Sequence, residues 1–265
     1  MDLLQLVVLA VVQGVTEFLP ISSSGHLVLV PKLTDWPDQG LMIDVAVHVG
    51  SLGAVVVYLA RDLRDMLTGT IRGEGGLMGP PGRRLVVLVA IATVPVVLVG
   101  AAVSGVLDGL RRLDVIGWTM LVFGVALWAA DQRCRAHRPL ESLGVPGALA
   151  IGCAQVLALV PGTSRAGITM TAARLLGLER TAAARFSMLL SIPTITAAGL
   201  LLGVELVWLG ELALTRDALV GGALAFVSAL VAIILMMRWL RHASFTPFVV
   251  YRVVLGLVLL AVAYG

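Results

Sequence analysis

Long runs of apolar residues dominate this chain, and short polar stretches separate them. A helix needs about 20 mostly apolar residues to cross the hydrocarbon core of a bilayer. Six runs approach or reach that length, and each predicts a transmembrane helix. These runs are 41–60, 85–104, 115–131, 183–204, 218–237 and 248–264.

The composition supports a membrane protein. Hydrophobic residues make up 59% of the 265 residues and charged residues 13%, and the mean hydropathy is +1.01. In soluble domains roughly a quarter of the residues are charged. The predicted fold class is therefore an all-α polytopic membrane protein, with residues 1–265 forming a single membrane domain.

The distribution of charge predicts the topology. The pI is about 9.3, but the basic residues concentrate between the predicted spans, which indicates membrane orientation and not nucleic-acid binding. The loops at 105–114 and 205–217 are richer in acidic residues, so we expect them outside together with both termini. Four arginine-rich loops are predicted to be cytoplasmic: 61–84, 131–143, 174–185 and 238–247.

Two further apolar segments, 1–34 and 144–178, do not fit as single crossings. In the predicted topology each of them begins and ends on the same side of the membrane. Each is therefore predicted to be a re-entrant helical hairpin, whose polar turn is tolerated at membrane depth only inside protein or beside a water-filled cavity. Pro20 and Pro161 mark the two turns.

The two turns also indicate an internal repeat. Leu19–Ser23 aligns with Val160–Ser164, and three predicted spans follow each copy. Because three is odd, the copies, about 1–131 and 144–265, are predicted to have inverted topology. Repeats of this kind place a site near the bilayer midplane with helix N-termini facing an anion.

The first polar motif contains candidate catalytic groups. Gln13 and Glu17 lie four residues apart and are expected to share one helix face. A carboxylate at membrane depth is costly and functional by default, although a snorkelling carboxylate is the structural alternative. The serines at 22, 23 and 24 are candidate phosphate donors or, alternatively, a helix cap.

Two further side chains carry candidate chemistry. His26 is a candidate acid or base, because an unperturbed histidine has a pKa suited to proton transfer at neutral pH; a satisfied core histidine is the alternative. Arg165, in the second motif, offers bidentate recognition of phosphate, and a structural ion pair with Glu17 is the alternative. Asp44 and His48 are expected to be solvated near the outer interface, and the five tryptophans and three tyrosines are expected in interfacial belts.

Both motifs together resemble one family. Gln13 followed by Glu17, then Phe-Leu-Pro-Ile-Ser-Ser-Ser-Gly-His ending at His26, and later Pro-Gly-Thr-Ser-Arg-Ala-Gly-Ile-Thr starting at Pro161, closely resemble the undecaprenyl-diphosphatase family, also called bacitracin-resistance proteins. The resemblance covers nearly the whole chain. It implies hydrolysis of undecaprenyl diphosphate to the monophosphate carrier lipid used in peptidoglycan synthesis.

The resemblance also implies roles for individual residues. It assigns Glu17, Ser23, His26 and Arg165 to catalysis, with Glu17 as a ligand of a divalent cation, Mg²⁺ or Ca²⁺. The nucleophile is either Ser23 or water. Predicted substrate-binding residues are Gln13, Ser22, Ser24, Gly25, Gly162, Thr163, Ser164 and Thr169.

The expected setting is the bacterial inner membrane, with a polyprenyl diphosphate lipid as substrate and a homodimer as one possible assembly. A flippase for a polyprenyl phosphate is the main alternative, because inverted repeats meeting at the midplane are typical of transporters. An anion channel fits less well, since no ring of charges lines the spans. The pairing of Glu17 and His26 beside a serine favours hydrolysis.

Overall fold

The computed structural model describes residues 2–34, 36–37, 39–72, 76, 78–134, 137–208 and 215–265. Within these residues it contains α-helices and short 3-10 turns and no strand. Parts of the predicted loops 61–84, 131–143 and 205–217 lie outside the described residues. The helices are α1 Leu3–Phe18, α2 Ser23–Thr34, α3 Leu41–Tyr58, α4 Ala60–Arg72, α5 Pro81–Leu107, α6 Leu113–Arg133, α7 Val145–Gln155, α8 Arg165–Leu175, α9 Arg180–Trp208, α10 Arg216–Leu240 and α11 Thr246–Tyr264.

Six of these helices are long and apolar enough to cross a membrane: α3, α5, α6, α9, α10 and α11. Each overlaps one of the six predicted spans, which confirms the all-α polytopic fold class. The helix ends extend beyond the predicted spans in most cases, because helical hydrogen bonding continues into the polar interface where hydropathy falls. The apolar core alone therefore underestimates helix length.

The predicted loop at 61–84 is wrong over its first half, where the structure has helix α4. The charged residues of this segment lower its average hydropathy, so an average over the segment does not reveal its helical pattern. Leu63 and Met66, three residues apart, pack against the main core, as an amphipathic helix requires. Arg185 of α9 forms an ion pair with Asp62 of α4, which ties α4 to the bundle.

Each of the two remaining apolar segments folds as a pair of short helices joined by a turn. The helices α1 and α2 have 16 and 12 residues, and α7 and α8 have 11 each, with a short 3-10 turn after α7. The members of each pair pack on one another. Helices this short do not match a full crossing of about 20 residues; re-entry into the membrane stays a prediction.

The turns before α2 and α8 share an uncommon backbone. Ser22 and Ser164 have positive φ values of 76° and 69°, a region that non-glycine residues seldom occupy. Each side chain accepts a hydrogen bond from a backbone N–H three residues later, that of Gly25 at 3.4 Å and of Gly167 at 3.0 Å. The equivalent of Ser164 is therefore Ser22, one residue away from the alignment predicted above.

Helix packing follows a matching pattern in the two halves. Helices α1 and α3 pack against α10, and α7 and α9 pack against α5. Helix α3 also packs against α9, and α6 against α11. An inverted repeat that exchanges α1 with α7, α3 with α9 and α5 with α10 would produce these pairs. The repeat itself stays a prediction, and this pattern supports it.

The end of α8 is fixed by a buried ion pair. Arg174 is 1% exposed, and its Nε donates to Asp131 Oδ1 of α6 at 2.9 Å. Arg180, at the start of α9, pairs with the same carboxylate at 2.9 Å. Because buried charges need partners, Arg174 is a structural residue of α8 and not part of the loop predicted at 174–185. The orientation of the termini stays a prediction.

Candidate active site

A cavity of about 280 Å³ opens beside the two turns. One part of its wall is polar and the rest is apolar, so it is suited to a molecule with a charged head and a hydrocarbon chain. The apolar part comes mainly from α5, α9 and the turn after α7. The polar lining residues are Glu17, Ser22, Ser23, Ser24, His48, Gln155, Ser164, Arg165 and Thr194.

Glu17 is the centre of the polar cluster. It lies in the last turn of α1 and is 8% exposed. Its Oε2 accepts hydrogen bonds from Ser23 Oγ at 2.7 Å and from Gln13 Nε2 at 2.9 Å, while Oε1 accepts from Arg165 Nη2 at 2.9 Å. A buried carboxylate requires such partners. The predicted shared face of Gln13 and Glu17 is confirmed.

Arg165 connects the two turns. It is the first residue of α8, and its ion pair with Glu17 joins the second turn to the first. The structural alternative proposed for Arg165 is therefore present. The same side chain lines the cavity and is 15% exposed, so its guanidinium can also meet an anion that enters.

Two helix N-termini converge on this cavity. Ser22 and Ser164 precede α2 and α8 and line the cavity, as do the first residues of both helices, Ser23 and Arg165. Helix N-termini carry partial positive charge and unpaired N–H groups, which favour phosphate. The close fit of the second turn needs Gly162, because a Cβ there would lie 2.2 Å from Thr119 Oγ1.

The structure does not bring His26 to Ser23. The Nδ1–H of His26 donates to the carbonyl oxygen of Ser22, 2.6 Å away, and Nε2 accepts from the hydroxyl of Tyr251, 2.5 Å away. The two rings also stack, with centroids 5.5 Å apart. His26 therefore does not contact the Ser23 hydroxyl, which donates to Glu17 instead.

The structure places His48 differently from the prediction. It was predicted to be a solvated interfacial residue, but it lines the cavity with Nε2 4.0 Å from Glu17 Oε2. Its Nδ1–H donates to the carbonyl oxygen of Asp44 at 2.7 Å, which orients Nε2 toward the carboxylate. A histidine inside a predicted span was the available signal.

Arg252 of α11 is a further residue that the sequence reasoning missed. It is fully buried and donates to the carbonyl oxygens of Pro20 at 3.4 Å, Gly162 at 3.1 Å and Thr163 at 2.9 Å. It also donates to two carbonyls of α6. One guanidinium thus binds both turns, and Gly167 leaves room for it, since a Cβ there would lie 2.6 Å from Nη1.

The other predicted substrate-binding residues divide into two groups. Ser24 lines the cavity, with its Oγ 3.3 Å from that of Ser22. Thr169 is buried and shares a hydrogen bond of 2.7 Å with Ser187 Oγ, so it belongs to the packing behind the cavity. Of all the predicted site residues, six do not line the cavity: Gln13, Gly25, His26, Gly162, Thr163 and Thr169.

The oxygen atoms near Glu17 fit a hard divalent cation in part. Gln13 Oε1 is buried and has no hydrogen-bond partner in the described part of the chain, and it belongs to the amide whose Nε2 contacts Glu17. Carboxylate and amide oxygens are ligands that Mg²⁺ and Ca²⁺ accept. Among the described residues no group of three or more His, Cys, Asp or Glu could hold a metal, so a ligand's own oxygens would have to complete the shell.

Comparison with known proteins places this chain in a family. The family described as Bacitracin resistance protein BacA matches residues 6–258. The chain belongs to this family. Relatives of this protein include an "Undecaprenyl-diphosphatase" of Ruegeria pomeroyi, 53% identical over the whole of both chains. Another, of Jannaschia sp., is 50% identical over the whole of both chains. A third, of Chromohalobacter salexigens, is 49% identical over 98% of each chain.

Proposed function

We propose that this protein hydrolyses undecaprenyl diphosphate to undecaprenyl phosphate and inorganic phosphate, and so recycles the carrier lipid for cell-wall synthesis. The observation that carries this proposal is the cluster of Glu17, Ser23 and Arg165 at the polar part of an otherwise apolar cavity. The names of the relatives support the same activity. They give no support to the flippase alternative.

The cavity accounts for binding of both parts of the substrate. Arg165 offers a charged donor to the diphosphate, and the N-termini of α2 and α8 add partial positive charge. The apolar wall, which includes Val45, Val96 and Leu202, suits a prenyl chain. Burial of that chain supplies affinity in proportion to the apolar area removed from water.

The contact between Ser23 and Glu17 gives the chemical step. Glu17 Oε2 is placed to accept the proton of the Ser23 hydroxyl, or of a water in its place, as the oxygen attacks the terminal phosphorus. The bond from that phosphorus to the bridging oxygen breaks, and undecaprenyl phosphate leaves. Arg165 stabilises the charge that spreads over the phosphoryl oxygens. With Ser23 as nucleophile, water then hydrolyses the phosphoserine.

His26 has a different part in this proposal. Its ring is held by Tyr251 and donates to the carbonyl oxygen of Ser22, the residue with positive φ. In this way it keeps Ser23, the first residue of α2, directed toward Glu17. His48, whose Nε2 faces Glu17, is the histidine next to the reacting groups. We therefore assign His26 to positioning of the turn.

A divalent cation is part of the proposal. Glu17 and Gln13 Oε1 would hold it, with phosphate oxygens of the substrate completing its shell. When bound, such an ion neutralises negative charge on the diphosphate. Because so few protein ligands are present, we expect weak cation binding without substrate and stronger binding with it.

The cellular setting is also proposed. The arginine-rich segments support a plasma-membrane orientation with both termini outside, and the six long apolar helices fit a multi-pass protein. Assembly as a homodimer stays a prediction, which the mass of the purified protein in detergent would test.

The experiment is phosphate release from undecaprenyl diphosphate by the purified protein in detergent, where no second leaflet exists for a flipped lipid. We expect release of one phosphate per substrate and dependence on Mg²⁺ or Ca²⁺. Quenching during turnover, followed by mass spectrometry, would then show phosphate on Ser23 if the serine attacks. Lipid transfer between leaflets of vesicles without phosphate release would favour the flippase instead.

A further inference from the structure

Gln155, the last residue of α7, has a side chain that the fold leaves unused. It is fully buried, and neither its Nε2 nor its Oε1 has a hydrogen-bond partner among the residues that the structure describes. Buried amides in folded proteins are nearly always paired. Gln155 also belongs to the wall of the cavity that holds Glu17 and Arg165. Its amide therefore has no partner among the described residues and lies where a ligand would bind.

Comparison with Gln13 indicates what kind of ligand. The register that pairs Ser22 with Ser164 also pairs Gln13 with Gln155. The amide of Gln13 donates to the carboxylate of Glu17, one helical turn later. The residue one turn after Gln155 is Leu159, which also lines the cavity. The amide of Gln13 therefore has an anionic acceptor within the chain, the carboxylate of Glu17. At the position equivalent to Glu17 the second half has Leu159, so an anionic acceptor for Gln155 would have to come from a ligand.

We propose that Gln155 Nε2 donates a hydrogen bond to a phosphate oxygen of the bound diphosphate. This assignment rests on the proposed function, and it adds a substrate-binding residue to that site. The donor set then extends across the cavity from Arg165 to α7. Gln155 has no surface accessible to water, and its amide must therefore rotate to meet the ligand. Rotation about the last side-chain torsion allows this, because that torsion is soft in glutamine.

The test uses Gln155→Met, which keeps an unbranched side chain of similar length and removes the amide. The matched control is Gln5→Met, since Gln5 is also buried, at 3% exposure, but its Nε2 donates to the carbonyl oxygen of Pro37 at 2.8 Å. Melting temperature and steady-state kinetics are measured for both variants and the wild type. The melting temperature with and without inorganic pyrophosphate gives a second readout that needs no turnover.

The two variants should behave in opposite ways. Gln155→Met removes an unsatisfied group, so its melting temperature should equal or exceed that of the wild type, while kcat/KM falls at least about tenfold, mainly through KM. Its stabilisation by pyrophosphate should be smaller than that of the wild type. Gln5→Met should lose melting temperature and keep its kinetics.

Two results would overturn the assignment. One is a kcat/KM of Gln155→Met within about twofold of the wild type, because the loss of a hydrogen bond to a charged phosphate should lower kcat/KM by more than that. The other is a fall in melting temperature as large as that of Gln5→Met, which would make Gln155 a packing residue. Failure of the proposed function would look different, because the wild type itself would release no phosphate while the pyrophosphate readout would still test Gln155.

Discussion

Replacement of Arg252 by methionine should loosen both turns at once. Methionine keeps much of the apolar volume and removes every donor. Three turn carbonyls, of Pro20, Gly162 and Thr163, would lose the guanidinium that binds them. A buried group left unsatisfied costs about 1–3 kcal/mol, so the combined loss in unfolding free energy should reach at least about 3 kcal/mol. For a chain of this size that corresponds to a fall of roughly 6–12 °C in melting temperature.

Thermal unfolding in detergent, followed by loss of helical circular dichroism, would measure this change. Arg216→Met, at an exposed position at the start of α10, is the control and should change the melting temperature little. Arg252→Lys should recover only part of the loss, because one ammonium cannot span both turns. A melting temperature for Arg252→Met within about 2 °C of the wild type would refute the view that this side chain holds the turns together.

Two further predictions concern Arg165 and the contact between Tyr251 and His26. Arg165→Lys should lower kcat at least about tenfold, roughly 1.4 kcal/mol of transition-state stabilisation, because a point charge cannot reproduce the planar fork; kinetics of a folded variant near those of the wild type would contradict this. Tyr251→Phe removes only the hydroxyl that donates to His26, so kcat should fall less than about tenfold and its pH profile should keep its shape. A general acid or base contributes about a hundredfold or more, so a loss of that size with a shifted profile would return His26 to the proton transfer.

The membrane spans were predictable because they depend on local apolar length. Helix α4 was not, since Asp and Arg residues lower its hydropathy and only the spacing of Leu63 and Met66 reveals a buried face. His26 and Ser23 are close in sequence, but their side chains do not contact each other. Side chains of a helix lean toward its N-terminus, and the ring of His26 leans back to the carbonyl of Ser22 while Ser23 turns to Glu17.

The candidate site was predictable only in its two turns. Glu17 and Arg165 stand out as charges within apolar sequence, and the structure joins them. His48, Gln155 and Arg252 reach the same region from α3, α7 and α11, helices far apart in the chain. Their contacts depend on how those helices pack, which hydropathy does not encode. The rule that flagged Glu17, that a polar group at membrane depth needs a reason, applies equally to all three.

The central claim is that hydrolysis occurs at the carboxylate of Glu17. The most direct test compares the initial rate of phosphate release from undecaprenyl diphosphate by wild-type protein and by Glu17→Gln, which keeps the shape of the side chain and removes its charge and basicity. We predict a rate at least about a hundredfold lower for the variant, with a melting temperature that shows it remains folded. Release of phosphate by folded Glu17→Gln at a rate close to that of the wild type would contradict the account.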